Sequence, residues 1–565
     1  MNKECSLSYF HEIGKRPLTY STIGQELSRY AVKYADQEAY VSLEENKRLT
    51  YKQLKCEADR LAAGLQNLGL KKGDRLGLWA PNSIAWPLTM FAAARLGLIL
   101  VPINPTYEAS EIEYCLKKVG IKAIVVSEYY GSRLYYNTLL EIIPELNFCN
   151  PANLHCKHFP LLTSIIIDSE KNYKGTLTLK YVMNIATYSQ VNQIEKQQED
   201  ISPESGCNLQ LTSGTTGYPK AALLTHFAFV NNGIITSKRL EMSCKTRICL
   251  QVSFFHAFGC ICASMACLIR GATIVIPSSV YNPLKNILAI NDERCSMIYG
   301  TPKMHMDLMT QQRKLQLKLT ADVAVTGGAP NSPQLLKEIT SELGLKKVIN
   351  LYGMSESTAN SFTTLPGDTD EQMYETVGHV MDHVEVKVID RKGQIVPLGT
   401  PGELCVRGFC TMRGYWNDEE KTQETLSQDG WLRTGDQFVL LPNGYGKIIG
   451  RIKEIIIRDS TNIYPKEIED FLVTCPQIAE SYVIGVPDDL WGEEICAFVR
   501  LRSGCEYFTV ENIRDYCRDK ISAFKIPRYV EIVEDFNKTL SGKVQKTDLK
   551  QMFSEKWNKI ILGVL

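Results

Sequence analysis

Apolar and polar positions change rhythm several times along this 565-residue chain. After Leu49-Thr50-Tyr51, the positions Leu54, Ala58, Leu61 and Leu65 share one face at helical spacing, which predicts an amphipathic helix over 49–65. Gly73-Asp74-Arg75-Leu76-Gly77-Leu78-Trp79 predicts a turn feeding a buried strand. Residues 84–101 and 260–277 are almost wholly apolar. Both fall short of the ~20 clean apolar residues of a membrane span. Pro87, Arg95 and Arg270 interrupt them, so they predict buried helix-then-strand units. The alternation continues to about residue 345 and predicts α/β architecture with mostly parallel sheets. Residues 166–205 are polar and read as turn-rich. From 346 to 450 strands shorten between turns such as Pro401-Gly402-Glu403, which predicts a small, mainly β subdomain. After 452 the pattern becomes α+β, with helical runs at 465–474 and 510–522. The division this suggests is 1–450 and 453–565.

Composition narrows the function classes. Hydrophobic residues make up 44% and charged residues 22%, as in a globular chain with large cores. Lys+Arg and Asp+Glu both number 63, and this balance argues against a broad nucleic-acid footprint. The 18 cysteines include no Cys-x-x-Cys pair; several lie in apolar runs (Cys260, Cys262, Cys267), as buried thiols of a reducing compartment do. His155, Cys156 and His158 form one local cluster of soft ligands, at a spacing that fits no common zinc pattern. Glu4 and Glu12 make the first residues unlike an acid-poor transit peptide, and no secretory apolar region follows.

The candidate chemistry begins at Asn208-Leu209-Gln210-Leu211, whose alternation predicts a half-buried strand. It runs into Thr212-Ser213-Gly214-Thr215-Thr216-Gly217-Tyr218-Pro219-Lys220. Glycines free backbone N–H groups to converge on an anion; hydroxyls add neutral donors and the lysine a mobile cation. That inventory suits a polyphosphate. The glycine spacing is not that of a Walker loop, which disfavours a kinase or GTPase. Tyr352-Gly353-Met354-Ser355-Glu356 offers a carboxylate suited to Mg²⁺ beside phosphates. Trp431-Leu432-Arg433-Thr434-Gly435-Asp436 offers a second, suited to ribose hydroxyls. Gly450-Arg451-Ile452-Lys453-Glu454 stands where the composition shifts, and Lys543 lies on a glycine turn in Leu540-Ser541-Gly542-Lys543-Val544-Gln545-Lys546.

In this order the motifs resemble the adenylate-forming superfamily of acyl-CoA synthetases, firefly luciferase and peptide-synthetase adenylation domains, from about residue 20 to 550. Leu116-Lys117-Lys118-Val119-Gly120, Tyr299-Gly300-Thr301-Pro302 and Gly492-Glu493-Glu494-Ile495-Cys496 are similar to the animal mitochondrial medium-chain acyl-CoA ligases. The resemblance implies two α/β subdomains and a β subdomain, followed by a mobile C-terminal domain hinged at Lys453. It implies that a fatty, medium-chain acid attacks ATP to give an acyl-adenylate, from which the thiol of coenzyme A displaces AMP. Residues 212–220 would cradle the β/γ-phosphates, Glu356 hold Mg²⁺, Asp436 take the ribose hydroxyls and Arg451 support ribose and phosphate. Gly327-Gly328-Ala329-Pro330 would wall the adenine. His256, in Phe254-Phe255-His256-Ala257-Phe258-Gly259, would flank the acyl pocket, and Lys543 would bridge carboxylate and α-phosphate. The implied partners are a carboxylic acid, ATP and CoA, with no nucleic acid and no membrane span; the implied compartment is mitochondrial, with cytoplasmic as the alternative.

The chain departs from the family pattern in three places. Ala221 stands where glycine commonly follows the lysine, and Ser355 replaces a frequent threonine. Arg458-Asp459-Ser460-Thr461-Asn462-Ile463-Tyr464-Pro465 lacks the paired glycines found beside the pantetheine arm. That loss raises the alternatives of an impaired thioester step or a ligand-binding paralogue without turnover.

Overall fold

The computed structural model describes residues 6–212, 219–458, 461–488, 492–505, 507–518, 520–521, 523–539 and 543–561. They form a mixed α/β molecule with a large N-terminal domain and a smaller C-terminal one. The seven-stranded sheet runs, in spatial order, Leu177–Thr178, Ser164–Asp168, Ala123–Ser127, Arg75–Trp79, Ile99–Ile103, Gly206–Thr212 and Lys220–Thr225. Only the last pair is antiparallel. The nine-stranded sheet has a parallel centre from Lys347–Tyr352 through Val323–Gly327, Met297–Gly300, Arg247–Leu250 and Thr273–Ile276 to Glu38–Ser42. Antiparallel strands close both of its edges.

One contiguous apolar core joins the two sheets through the helices between them. Helix Tyr51–Asn67 starts where Thr50 Oγ1 accepts the Gln53 N–H (3.2 Å) and Gln53 Oε1 accepts the Thr50 N–H (2.8 Å). Its neighbour Ala85–Leu96 is buried on every face, including Arg95. That guanidinium pairs with Asp59 (2.5 Å) and Glu195 (2.6 Å), which is how an apolar run tolerates a full charge. No helix among the described residues is long and apolar enough to cross a membrane.

An antiparallel five-stranded sheet follows, built from Tyr9–Glu12, Val384–Ile389, Gly402–Gly408, Leu432–Leu440 and Gly446–Arg451. The C-terminal sheet begins at Ile456–Arg458, after a short 3₁₀ turn over Ile452–Glu454, and is covered by helices Pro465–Val473, Val510–Cys517 and Lys546–Ile561. It has apolar clusters of its own.

Three readings of the sequence are corrected. Residues 166–205 are not merely turns: Leu179–Asn184 and Tyr188–Lys196 are helices whose polar residues face outward over Leu179, Val182 and Ile194. The helix expected over 510–522 ends at Cys517. The apolar run at 260 begins in a π-helical stretch, Phe258–Met265, a wide-turn form that recurs beside functional sites.

Candidate active site

The described residues on either side of the expected phosphate loop belong to two paired strands. Strands Gly206–Thr212 and Lys220–Thr225 are antiparallel, with Thr212 opposite Lys220. Ser213, Gly214, Thr215, Thr216, Gly217 and Tyr218 fall outside the described residues. Pro219 accepts the Tyr114 hydroxyl at its carbonyl (3.1 Å). Lys220 Nζ lies 4.7 Å from the centroid of the Tyr415 ring, a cation–π contact. Ala221 is fully buried in the hairpin's second strand, where its methyl group is part of the core.

Tyr415 also reaches Glu356. Its hydroxyl donates to Glu356 Oε1 at 2.8 Å, and both side chains are buried. Glu356 sits on a 3₁₀ turn, Ser355–Ser357, just past strand Lys347–Tyr352. The turn requires glycine at 353, because a Cβ there would stand 2.1 Å from the Ala359 carbonyl oxygen. Thr358 and Ala359 hold left-handed backbone (φ 51° and 75°), a strained arrangement typical of functional turns.

Asp436 and Arg451 are cross-strand partners in the antiparallel sheet, which places Arg451 Nε 2.8 Å from Asp436 Oδ1. Tyr352 donates its hydroxyl to Asp436 Oδ2 at 2.6 Å, and the Arg451 guanidinium also donates to the Thr434 carbonyl (3.1 Å). Burial raises the Asp436 carboxyl above its ordinary value, while Arg451, the Tyr352 hydroxyl and Lys543 pull it back. Gly435, with φ +69°, turns the strand so that Asp436 points inward.

His256 lies just before the π-helical stretch. Its carbonyl accepts the N–H groups of Gly259 (2.9 Å) and Cys260 (3.0 Å), and its ring meets Phe255 edge to face at 5.2 Å. Asn82 fixes the approach by donating to the Val252 carbonyl (2.9 Å) and accepting the Phe254 N–H (2.8 Å). Burial, and then the positive charge of Lys543, push the imidazole down to about 4, so it is neutral at physiological pH. On the far wall the Thr326 hydroxyl donates to Asn331 Oδ1 (3.1 Å) beside Gly327, and the C-terminal domain's Lys466 donates to the Asn331 carbonyl (3.4 Å).

Lys543 arrives from the C-terminal domain. Its backbone pairs with Thr539, whose N–H donates to the Lys543 carbonyl at 2.9 Å. Solvent reaches the side chain, yet surrounding protein costs its ammonium hydration. That cost, with repulsion from Arg451, lowers its pKa; Asp436, Glu356 and Glu454 oppose the shift. Lys546, three residues on, ties this segment down through Glu454 (2.9 Å) and Glu469 (2.7 Å). The structure therefore brings Asp436, Arg451, Glu356 and His256 within electrostatic reach of Lys543, and Tyr415 links Lys220 to Glu356.

Sequence reasoning assigned no role to Tyr415, to the Tyr352 hydroxyl or to Asn82. A β-bridge pairing Ala222 with Tyr415 brings residue 415 to the hairpin, and nothing in spacing announces it. His155 and His158 are exposed while Cys156 is buried, and no group of three or more His, Cys, Asp or Glu able to hold a metal occurs among the described residues. Cys260, Cys262 and Cys267 are buried, and burial pushes the Cys262 thiol up to about 12. Asp459 and Ser460 lie outside the described residues.

Comparison with known proteins adds to this geometry. The chain matches the family described as AMP-binding enzyme over residues 27–416, and the AMP-binding enzyme C-terminal domain over 467–543. It is 42% identical over 559 residues to the Homo sapiens protein named medium-chain acyl-CoA ligase ACSF2, mitochondrial, covering 98% of this chain and 91% of that one. It is 34% identical to the putative acyl-CoA synthetase YngI of Bacillus subtilis, covering 96% and 98%. Among solved structures, the anthranilate CoA ligase AuaEII in complex with anthranoyl-AMP shares the fold, with a TM-score of 0.84, 24% identity and coverage of 96% and 99%.

Proposed function

The chain belongs to the AMP-binding enzyme family, and we propose that it is an ATP-dependent acyl-CoA ligase that activates a medium-chain fatty acid through an acyl-adenylate. The observation that carries this reading is the convergence of Lys543, Asp436, Arg451, Glu356 and His256 where the two domains meet. ATP and CoA are the co-substrates. In the first step the acid's carboxylate oxygen bonds to the α-phosphorus and the α–β anhydride bond breaks, releasing pyrophosphate. No protein nucleophile is needed, so the residues work by placing charge. Asp436 orients the ribose hydroxyls, with Arg451 and Tyr352 fixing its carboxylate. Lys543 spans the carboxylate and α-phosphate, where negative charge builds. Neutral His256 lines the acyl side without competing for that charge.

Thr212, Pro219 and Lys220 bracket the hairpin tip that would hold the β/γ-phosphates. Glu356 fits a hard cation. Its Oε1 is oriented by Tyr415, and among the described residues Oε2 has no hydrogen-bond partner. Mg²⁺ prefers one such carboxylate plus phosphate oxygens and water. When bound, it would neutralise the phosphates as the anhydride breaks.

In the second step the CoA sulfur bonds to the acyl carbon and AMP departs. We assign domains to 1–450 and 453–565, with exposed Lys453 as pivot; rotation there would withdraw Lys543. The relatives support residence in mitochondria and give no support to a non-catalytic role. Pyrophosphate release and acyl-CoA yield, measured across a series of acid chain lengths, test the proposal. Release of pyrophosphate with medium-chain acids is expected; no turnover with any acid refutes it.

A further inference from the structure

Tyr415 sits between Lys220, which closes the proposed phosphate loop, and Glu356, the proposed metal carboxylate. Its ring seats the Lys220 ammonium at 4.7 Å, and its hydroxyl donates to Glu356 Oε1 at 2.8 Å. Its own place is fixed from several directions. The Tyr415 N–H donates to Thr422 Oγ1 (2.8 Å), its backbone bridges Ala222, and the Trp416 N–H donates to the Ala221 carbonyl (2.8 Å). Glu356 is anchored to the same segment, because its carbonyl accepts the Met412 N–H (2.8 Å).

We propose that Tyr415 is a positioning residue that couples the phosphate-loop lysine to the metal carboxylate, setting Lys220 with its ring and Glu356 with its hydroxyl. The inference rests on Glu356 being the metal-binding carboxylate. A side chain that touches neither phosphate nor metal then fixes the spacing of two positive centres along the triphosphate. The division of labour within one residue makes it separable. The hydroxyl serves Glu356 and therefore the metal. The ring serves Lys220 and therefore phosphate affinity with or without metal. Carboxylates that hold metals depend on such outer partners, whose loss costs about 10–100-fold in metal affinity.

Two substitutions separate the arms. Tyr415→Phe keeps the ring and removes the donor. Mn²⁺ binding to the enzyme–ATP complex, followed by electron paramagnetic resonance, should weaken about tenfold or more. The Mg²⁺ concentration for half-maximal pyrophosphate release should rise in parallel, and ATP affinity in EDTA, measured by calorimetry, should not change. Tyr415→Leu removes both functions and should also weaken ATP binding in EDTA. Glu356→Gln is the control for the underlying reading. If it weakens Mn²⁺ binding while Tyr415→Phe does not, the positioning role is refuted and the metal site stands. If Glu356→Gln leaves Mn²⁺ binding intact, the metal reading itself falls. Equal EDTA affinities for the Phe and Leu variants would refute the ring's role. Should the Leu variant fail to fold, Tyr415→Met repeats that arm, and the Phe variant tests the hydroxyl regardless.

Discussion

Replacing Lys543 with alanine removes a positive charge that the C-terminal domain brings to Asp436 and Glu356. The cost to folding is small. Lys543 is exposed, and only its backbone is hydrogen-bonded among the described residues, so stability should change by no more than ~0.5 kcal/mol. The cost to the first step is large. The ammonium stands within reach of Asp436, Glu356, Glu454 and Arg451, and the protein around it costs it hydration. Removing one such preplaced group costs about 10²–10³ in rate, or roughly 2.7–4 kcal/mol of transition-state stabilisation. Pyrophosphate release should fall by that factor, while thioester formation from supplied acyl-adenylate and CoA should persist. His256 gives an independent readout. It loses the cation that depresses it, so its pKa, followed by imidazole NMR, should rise from about 4. Acidity supplies the sign of the pH effect. Protonated Lys543 is the active form, so adenylation should be flat near neutrality and decline on an alkaline limb below the ordinary lysine value of ~10.4. Lys543→Arg should move that limb out of range. Normal adenylation by Lys543→Ala, or an unmoved His256, would refute the placement of this residue.

Further substitutions probe the surrounding frame. Tyr352→Phe removes the 2.6 Å donor from buried Asp436 and should weaken ATP binding about tenfold or more by calorimetry, since hydrogen bonds to charged groups contribute roughly 1.5–3 kcal/mol. Gly353→Ala drives a methyl to 2.1 Å from the Ala359 carbonyl, so overpacking of about 1–3 kcal/mol should lower the thermal midpoint. Arg95→Met removes the buried partner of Asp59 and leaves it only Lys55 (2.8 Å), so it should destabilise the N-terminal domain by about 1.5–3 kcal/mol in denaturant titration, far from any effect on ATP affinity.

Much of the fold was legible because burial leaves periodic marks. Leu54, Ala58, Leu61 and Leu65 are all buried on helix Tyr51–Asn67, and the apolar run after residue 84 becomes helix Ala85–Leu96 and strand Ile99–Ile103. Polar stretches were harder to read. Helix Tyr188–Lys196 buries little beyond Ile194, so its pattern resembled turns. Within the site, the residues singled out beforehand were those on glycine-marked turns, such as Glu356 and Asp436. Tyr415 escaped notice because its importance lies in a contact with a strand almost two hundred positions earlier, which no local pattern encodes.

Arg451 ends its strand one residue before the short turn that hands the chain to the C-terminal sheet. A nucleotide held as proposed by Asp436 and Arg451 would lean on the very root of the domain proposed to move. No relay of side chains is needed for the cleft's contents to be felt there. On that proposal, departure of pyrophosphate or AMP and rotation of the smaller body would be mechanically adjacent events, and a change in grip on the ribose would be at once a change in the footing of the lever.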